Sequence, residues 1–522
     1  MRESLQLRLT PETAFEPLRL LGHVSTVLNI DANRITSVLP VKRSIDARQR
    51  RVMVNLEVIV TVDEPAVDPS ERLVAPDYKV LPADAPVAIV VGAGPAGLFA
   101  SLRLIELGVR PILLERGKDV DSRRPDMADI SRRGIVNPDS NYCFGEGGAG
   151  AFSDGKLYTR SKKRGPVDKI LSILVAHGAN PDIMVDAHPH IGSDRLPNVI
   201  KAIRERIIAC GGVVRFGCRV DGLLIADGGV RGVRIADGAE IHGPVILATG
   251  HSARDVYRFL YDSGVRIEPK GLAVGVRLEH PQELIDRLQY HSPKGRGRYL
   301  PPAEYSMLTR VDGRAVYSFC MCPGGFIIPA ASEPGQLVVN GMSPASRGTR
   351  WANSGMVVEL LPEDLPGESP LKMMDYQSTI ETAFFNAGNG TQAAPAQRMT
   401  DFVASRQSSS LPSSSYAAGL IPLRVDRLLP PEISGRLQKG FEDFNRKQRG
   451  FLSPDATVIG CETRTSSPVR IPRDSESLVH VELDGLYPAG EGAGYAGGIV
   501  SAAIDGDRVA TALASRLCKL IK

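Results

Sequence analysis

The chain has 522 residues, of which 43% are hydrophobic and 23% charged, with a mean hydropathy of -0.08, as in an ordinary globular protein of two or three domains. Its formal net charge of +4 is small for this length and gives no argument for nucleic-acid binding. Charged residues are interleaved in the N-terminal segment and no 18-residue uncharged apolar run occurs, so we expect no signal peptide and no membrane span. The seven cysteines are an odd number, which favours reduced thiols, and we expect a cytoplasmic protein.

Residues 1–80 are predicted to form a small α/β module that ends at a linker rich in Pro, Asp and Ala (76–86). Alternating apolar and polar residues predict strands over Leu5–Leu9 and Arg51–Val62. Apolar residues at helical spacing predict a helix over Glu12–Leu21 between them. The basic run Lys42–Arg51 has two interpretations, a solvated hairpin or a handle for a polynucleotide or acidic partner. Because the run lacks aromatic residues for base stacking, we expect the hairpin.

The most informative segment is 87–117, where an apolar strand (Val87–Val91) enters a glycine-rich turn and a helix over Pro95–Leu107. Backbone amides at such a helix start can face a pyrophosphate with no side chain between. A second strand, Pro111–Leu114, leads to Glu115, 23 positions after Gly92, where a ribose-binding carboxylate belongs. The segment predicts dinucleotide binding by Gly92, Gly94, Pro95, Ala96, Gly97, Glu115 and Arg116.

The stretch 213–250 is predicted to form a β-meander that returns to the parallel sheet through the apolar strand before Thr249 and Gly250. A second glycine-rich nucleotide fingerprint does not occur in the sequence. We therefore expect no built-in NAD(P)H domain, so that a pyridine nucleotide binds transiently or not at all.

The nucleotide-binding motifs lie at opposite ends of the chain, so we predict a nucleotide domain over 84–268 and 466–522 with a cap inserted at 269–465. The cap is predicted to carry strands over Arg314–Phe319 and Leu337–Asn340 and helices over Pro281–Gln289 and Ile433–Lys447. The serine-rich segment Ser408–Tyr416 is interpreted as a mobile lid or as an ordinary surface loop.

Cys320 and Cys322 precede a Pro-Gly-Gly turn that can aim a thiol into a cavity. Positions i and i+2 of a strand share a face without favouring a disulfide, so three interpretations stay open: a redox pair, a single thiol lining the active site, or apolar packing. No second Cys or His pair lies at ligand spacing, and we expect no metal.

The closing segment 486–506 resembles the corresponding motif of FAD enzymes of the glutathione-reductase structural class. In those enzymes an acid holds the ribityl chain and a helix start faces the flavin N1–O2 edge. The resemblance implies these roles for Gly490, Glu491, Gly498 and Ile499, with Glu491 standing where many members have Asp.

Five motifs together, at 141–158, 248–255, 317–325, 461–468 and 487–506, resemble the uncharacterised FAD-dependent dehydrogenases of bacteria and plastids over nearly the whole chain. The resemblance implies an α/β fold, with a Rossmann-like FAD-binding domain, an inserted α+β substrate or cap domain and the small N-terminal module. It also implies that Gly147, Gly148 and Ala149 pass along the pyrophosphate and flavin, and that Val220, Thr249 and Gly250 contact the cofactor.

Residue chemistry supplies further candidates around the flavin. His251 can move a proton beside the flavin, or it simply contacts FAD or caps the following helix, and His190 is a further site candidate. Ser153, Asp154 and Lys156 either reach the polar edge of the flavin or lie on the surface. Arg277 and Arg464 begin and end the cap, where they are expected to clamp a substrate carboxylate or to form internal ion pairs.

The sequence therefore predicts an FAD-dependent oxidoreductase that transfers a hydride between a small or medium organic substrate and flavin N5, with an unidentified electron donor or acceptor. Both directions of the reaction, oxidation and reduction of the substrate, stay open, and so does a reaction of the reduced flavin with oxygen. The alternatives are an RNA-modifying flavoprotein, a prenyl-chain reductase and a non-catalytic FAD redox sensor. The first alternative predicts a long helical region after the closing motif, and 24 residues follow Gly498.

Overall fold

The computed structural model describes residues 1–74, 76–158 and 165–520. The N-terminal module comprises β1 (Arg2–Leu9), α1 (Pro11–Phe15), α2 (Pro17–Leu28), β2 (Ile35–Asp46) and β3 (Met53–Val62). Its strands form an antiparallel sheet of order β1-β3-β2. The single helix predicted over Glu12–Leu21 is wrong, because Glu16 is extended (φ -104°, ψ 109°) ahead of Pro17, whose ring disfavours a helical residue before it.

The basic run belongs to the β2–β3 hairpin and to the turn that joins its strands. Arg43 attaches this hairpin to the next domain. Its Nε lies 2.7 Å from Asp186 Oδ1, and its backbone N–H donates to Val185 O at 2.9 Å. The module therefore packs beside the next domain through a strand edge and an ion pair.

The second region begins with the predicted strand–turn–helix–strand segment. It comprises β4 (Val87–Val91), α3 (Pro95–Glu106), β5 (Arg110–Leu114), α4 (Arg124–Arg133), α5 (Val167–Ala176), α6 (Leu196–Ala209), β6 (Val213–Arg215), β7 (Val220–Ala226), β8 (Gly229–Ile235), β9 (Glu240–His242), β10 (Val245–Leu247) and α7 (Arg254–Asp262). Strands β7, β8 and β9 form the antiparallel meander. The meander was predicted from Val213, which is wrong for its first strand: β6 pairs with β5 in parallel, and Gly217 (φ +62°) turns the chain away before β7.

The third region contains the largest sheet. It comprises β11 (Glu268–Pro269), β12 (Leu272–Pro281), α8 (Gln282–Gln289), β13 (Leu308–Val311), β14 (Arg314–Cys322), β15 (Phe326–Pro329), β16 (Val339–Met342), β17 (Trp351–Leu360), α9 (Lys372–Ala387), β18 (Ala394–Arg398), α10 (Met399–Val403), β19 (Leu420–Pro422), α11 (Val425–Leu428), α12 (Pro431–Lys447) and β20 (Thr457–Glu462). Seven strands pair in the order β13-β14-β17-β12-β20-β18-β19. The strand predicted over Leu337–Asn340 lies two residues later, where β16 pairs with β15.

The chain then returns to the second region with β21 (Val469–Arg470), β22 (Leu486–Pro488) and α13 (Ile499–Leu520). The order β22-β10-β4-β5-β6 makes a five-stranded sheet in which every pair is parallel. Helix α13 packs on α3 so closely that a Cβ on Gly506 would lie 2.0 Å from Ala96 O. This Rossmann-like α/β arrangement confirms the predicted fold class, and β4, β10 and β22 end at one edge of the sheet.

The serine-rich segment is held at both ends. Ser408 Oγ accepts from the Arg398 N–H at 2.9 Å, and Ser415 Oγ accepts from the Ile327 N–H at 2.9 Å and bonds Glu279. Tyr416 is buried and donates to Gln392 O at 2.7 Å. These anchors favour the fixed surface loop over the mobile lid. Within the ranges given above, no helix is long and apolar enough to cross a membrane.

Candidate functional site

A cavity of about 370 Å³ lies where β4, β10 and β22 end, between the parallel sheet and the inserted region. Most residues predicted to bind the cofactor line it: Gly92, Gly94, Pro95, Ala96, Glu115, Arg116, Gly148, Ala149, Val220, Thr249, Gly250, Glu491, Gly498 and Ile499. Gly97, Gly147 and Gly490 stand behind this lining. Of the residues predicted to be catalytic, the cavity is lined by His251, Cys320 and Arg464, whereas Cys322 and Arg277 lie behind its wall.

The turn between β4 and α3 needs its glycines for two different reasons. A Cβ on Gly92 (φ +101°) would lie 2.4 Å from Ala248 O, and a Cβ on Gly97 would lie 1.9 Å from Gly92 O, so both positions are closed by packing. Gly94 is the N-cap of α3, and a Cβ there would meet no protein atom within 4 Å. The start of α3 is therefore open to the cavity, with no side chain at the N-cap to occupy its amides.

Glu115 holds this turn in place. Its Oε1 accepts from the N–H groups of Gly117 and Gly145 at 2.9 and 3.0 Å, and its Oε2 accepts from the Ala93 N–H at 2.8 Å. Since a carboxylate oxygen can accept two hydrogen bonds, Oε2 keeps capacity for a hydroxyl in the cavity.

Arg123, which the sequence analysis missed, supports the glycine-rich run. Its fully buried guanidinium donates to the carbonyls of Asn141 at 2.5 Å and Glu146 at 2.7 Å. Gly147 (φ +80°) donates to Ala93 O at 2.8 Å, and a Cβ on it would lie 2.5 Å from Ile200 Cδ1. Gly147 therefore fixes the run from behind, while Gly148 and Ala149 face the cavity.

A second missed pair supports the closing motif. Asp505 Oδ2 accepts from the Gly490 N–H at 2.8 Å, and Arg473 Nη2 lies 2.5 Å from Asp505 Oδ1. Helix α13 begins at Ile499, and added Cβ atoms on Gly497 and Gly498 would meet no protein atom within 4 Å. The start of α13, in the C-terminal part of the chain, is therefore a second open helix start that faces the cavity.

The inserted region supplies a wall that we call the cap wall, consisting of Phe319, Cys320, Asn340, Arg464 and Thr465. Strand β14 carries a bulge between Phe319 and Cys322, where Cys320 has a φ of +45°. The expectation that Cys320 and Cys322 share a face of a regular strand is wrong for this reason. The bulge directs Cys320 to the cavity, while Cys322 is buried behind it.

Arg277 lies behind the cap wall in contact with both cysteines. Its guanidinium is 0% exposed and donates to Glu462 at 3.0 Å, to Asn353 Oδ1 at 2.9 Å and to Cys320 O at 2.8 Å. Burial raises the pKa of Glu462 to about 7, against the opposing effect of Arg277. The geometry therefore favours the internal ion pair over the substrate clamp, and we regard Arg277 as a positioning residue.

Arg464 and His251 line the cavity with their hydrogen-bonding groups already engaged. Arg464 Nη2 lies 2.9 Å from Glu381 Oε2, and the same guanidinium bonds Ser332 and Gln336. His251 Nε2 lies 3.1 Å from Arg464 O, so this nitrogen carries the proton, and Nδ1 pairs with Ser252 Oγ at 3.1 Å. As placed, His251 holds the backbone of Arg464, and its catalytic role stays a prediction.

Lys156 brings a positive charge to the cavity. Its Nζ bonds Met321 O and lies 3.9 Å from Asp154 Oδ2, and Arg347 in turn pairs with Asp154 at 2.7 Å. Burial lowers the pKa of Lys156, but Cys320, Cys322 and Asp154 outweigh burial and raise it. Lys156 is therefore charged beside Cys320. His190 lies outside the lining, with Nε2 3.2 Å from Ala345 O.

Within the described ranges, no three His, Cys, Asp or Glu side chains lie close enough together to hold a metal ion.

Residues 271–465 match the family described as FAD-dependent protein, C-terminal domain-like, nearly the range predicted as the insertion, and residues 1–61 match a domain of unknown function. An uncharacterised protein of Clostridium beijerinckii is 40% identical over 92% of this chain and 93% of its own. Protein FixC of Escherichia coli is 29% identical over 40% of this chain and 47% of its own. A geranylgeranyl bacteriochlorophyll reductase-like structure from Thermoplasma acidophilum covers 83% of this chain and 80% of its own, at 12% identity and a TM-score of 0.35.

Proposed function

Because this chain belongs to the family of uncharacterised FAD-dependent dehydrogenases and uses FAD, we propose that it transfers a hydride between a small or medium organic substrate and the flavin N5 atom. One observation carries the proposal: a single cavity is lined both by the glycine turn before α3 and by the cap wall of the inserted region. A substrate held by the cap wall would therefore share the cavity with the cofactor.

The cavity suits FAD in its chemistry. The open start of α3 at Gly94 offers backbone amides to a pyrophosphate, and Glu115 Oε2 has room to accept from a ribose hydroxyl. The start of α13 at Gly498 offers a positive dipole end to an electron-rich ring edge. Each contact uses a group that the described part of the protein leaves open toward the cavity.

Three further parts of the chain would serve the reaction without taking part in bond changes. The Arg464–Glu381 pair fixes the cap wall, and His251 holds the backbone of Arg464. Lys156 stands beside the wall as a cation with donors to spare, since one bond to Met321 O engages one of its three protons. We propose that Lys156 binds an anionic or carbonyl oxygen of the substrate or cofactor. We also propose that the protein works in the cytoplasm, whose reducing conditions keep its seven cysteines as free thiols.

Anaerobic reduction of the bound cofactor tests this function. Saturable bleaching by NADH or NADPH in a stopped-flow instrument would identify an external reductant and direct the search to acceptors. Bleaching only by a metabolite pool would identify a dehydrogenase whose own substrate reduces the FAD. Chemically reducible FAD that resists every pyridine nucleotide and every metabolite fraction would overturn the proposal and favour a non-catalytic flavoprotein.

Replacement of Lys156 by methionine is expected to slow that bleaching about 10- to 100-fold, since a hydrogen bond to a charged group contributes about 1.5–3 kcal/mol. The matched control is Lys201→Met, because Lys201 pairs with Asp121 at 3.0 Å away from the cavity. Rate constants normalised to FAD content check the prediction. Equal rate constants for the Lys156→Met variant and the wild type would remove Lys156 from the site.

A further inference from the structure

A small chamber adjoins the cofactor cavity on the side of the inserted region. Its volume of about 30 Å³ has room for about two water molecules, or for about two or three non-hydrogen atoms of a ligand. Six residues line both the chamber and the larger cavity: Cys143, Ala149, Ser153, His251, Asn340 and Arg464. Because the larger cavity suits FAD, a group held in the chamber would lie beside the cofactor. The chamber therefore has the size and place of a site for the reacting end of a substrate.

The chamber combines an apolar wall with one carboxyl group. Its apolar lining consists of Phe152, Ile328, Ala330, Val338 and Val339. Glu462, at the end of β20, is the one acid among the described lining residues. Arg464 is already paired with Glu381 at 2.9 Å, and both ring nitrogens of His251 are hydrogen-bonded. Glu462 is therefore the group of this chamber best placed to exchange a proton with a ligand.

Arg277 holds this acid and an amide at the chamber. Its Nη1 lies 3.0 and 3.1 Å from the two carboxylate oxygens of Glu462 and 3.5 Å from Asn340 Oδ1. Asn340 Oδ1 also accepts from the Gly341 N–H at 2.7 Å, and Asn340 Nδ2 has no hydrogen-bond partner among the described residues. A carboxylate has about four acceptor positions, so a single guanidinium nitrogen leaves some of those of Glu462 unused. The chamber therefore offers one free donor and one free acceptor.

These two groups match the oxygen of an alcohol or of a carbonyl compound. A hydroxyl accepts from the Asn340 amide and donates to an ionised Glu462, whereas a carbonyl oxygen accepts from the amide and from a protonated Glu462. Burial raises the pKa of Glu462 to about 7, so both forms of the carboxyl group are present near neutral pH.

On the basis of the hydride transfer proposed above, we propose that the chamber binds the reacting hydroxyl or carbonyl group of a small alcohol or its carbonyl counterpart, with Glu462 as the catalytic residue that takes or returns the proton. In the oxidation, the C–H bond breaks and its electron pair leaves with the hydrogen to flavin N5. The O–H bond breaks, its proton passes to Glu462, and the C–O single bond becomes a carbonyl. FAD accepts both electrons, so the step requires no further reactant. In the reduction, Glu462 returns the proton to the oxygen as the hydride returns to carbon.

Short alcohols and carbonyl compounds test this substrate class on the FAD-loaded protein. Ethanol, 2-propanol, glycolate and lactate are mixed anaerobically with the oxidised protein, and acetaldehyde, acetone, glyoxylate and pyruvate with the photoreduced protein. At least one alcohol should bleach the flavin saturably, and its carbonyl counterpart should reoxidise it. No reaction with any of these compounds, while NADPH or a metabolite fraction still bleaches the flavin, would overturn this inference and leave the proposed function standing. A flavin that resists every reductant would overturn both.

The pH dependence of these rate constants reports on Glu462. The alcohol reaction needs the ionised carboxylate and should become faster as the pH rises through about 7, whereas the carbonyl reaction should become slower. Arg277 of β12 lowers the pKa of Glu462 and Cys320 of β14 raises it, while β16 and β17 contribute the uncharged Asn340 and Asn353. Rate constants that do not change across this pH would overturn the assignment of Glu462.

Variants separate proton transfer from binding. Glu462→Gln keeps the size of the side chain and should slow both directions about 100-fold or more, with the half-saturating probe concentration nearly unchanged. Asn340→Ala should instead raise that concentration about 2- to 10-fold. The control is Glu279→Gln, because Glu279 is buried, bonds Ser415 and lies outside both linings. Wild-type rate constants in Glu462→Gln would overturn the proposal.

Infrared difference spectra of the FAD-loaded protein show the proton on Glu462 without turnover. A carboxyl C=O band should appear as the pH is lowered through about 7, vanish in Glu462→Gln and persist in Glu279→Gln. Persistence of this band in Glu462→Gln would overturn the proposal. Because Glu462→Gln leaves Arg277 without its carboxylate, the wild-type pH profile and the Asn340→Ala variant decide the question where that variant does not fold.

Discussion

Replacing Glu381 by alanine is expected to lower the free energy of unfolding by about 3–5 kcal/mol, because it leaves two buried guanidinium groups without their carboxylate. Glu381 is 0% exposed and lies 2.9 Å from both Arg254 and Arg464. Burial alone would raise its pKa, but the two arginines outweigh burial and lower the pKa of Glu381 to about 2. Urea unfolding followed by circular dichroism measures the change.

The matched control is Glu283→Ala, which removes an exposed carboxylate from an (i, i+4) pair with Arg287 and should cost less than about 0.5 kcal/mol. A lowered pKa means that the stabilisation from Glu381 is present above its unfolded pKa of about 4.5 and is lost as the pH falls toward 2. The difference between wild type and Glu381→Ala should therefore shrink on acidification. Equal free energies of unfolding for the Glu381→Ala and Glu283→Ala variants at neutral pH would show that Glu381 is not buried with its two arginines as described.

Replacing Gly94 by alanine is expected to weaken FAD binding about 10- to 100-fold while leaving the fold intact. A Cβ on Gly94 meets no protein atom within 4 Å, and its φ of -75° suits alanine, so the protein itself has no reason to resist the change. The methyl group would stand where the pyrophosphate approaches the start of α3, and loss of one charged hydrogen bond costs about 1.5–3 kcal/mol. Flavin fluorescence quenching on titration with FAD measures the dissociation constant.

Gly435→Ala is the control for this measurement, because Gly435 lies inside α12 and a Cβ there also meets no protein atom within 4 Å. This substitution should leave FAD affinity unchanged and stabilise the protein by up to about 1 kcal/mol. If Gly94→Ala bound FAD as tightly as the wild type, the pyrophosphate would not lie at this turn.

Much of the nucleotide-binding part of the fold could be predicted because its signals are local. The strand, glycine turn, helix and second strand over 87–114 follow one another in the sequence, and the structure forms them with boundaries shifted by one residue. The apolar strand and the glycines of the closing motif could also be predicted, whereas the pairing of β22 with β10 is seen only in the structure.

The supports of the site could not be predicted, because they depend on contacts between distant positions. Glu381 lies on α9 and meets Arg254 and Arg464, which are distant in the sequence, only in the folded structure. Asp505 in α13 and Arg123 in the turn before α4 look like ordinary charges, yet both are buried against the glycine loops. The bulge at Cys320 escaped prediction for the same reason, since it lies in the register of β14 on β17, two strands that are distant in the sequence.

Hydrogen exchange of the protein with and without FAD shows whether the cofactor lies in the cavity between the parallel sheet and the cap wall. We expect slower exchange on FAD addition in three segments, 92–98, 145–151 and 497–502, which converge on one cavity. The Gly435→Ala variant should show the same three segments, and Gly94→Ala should need a higher FAD concentration to show them. Binding of FAD with unchanged exchange in these segments would show that the cofactor lies elsewhere on the protein.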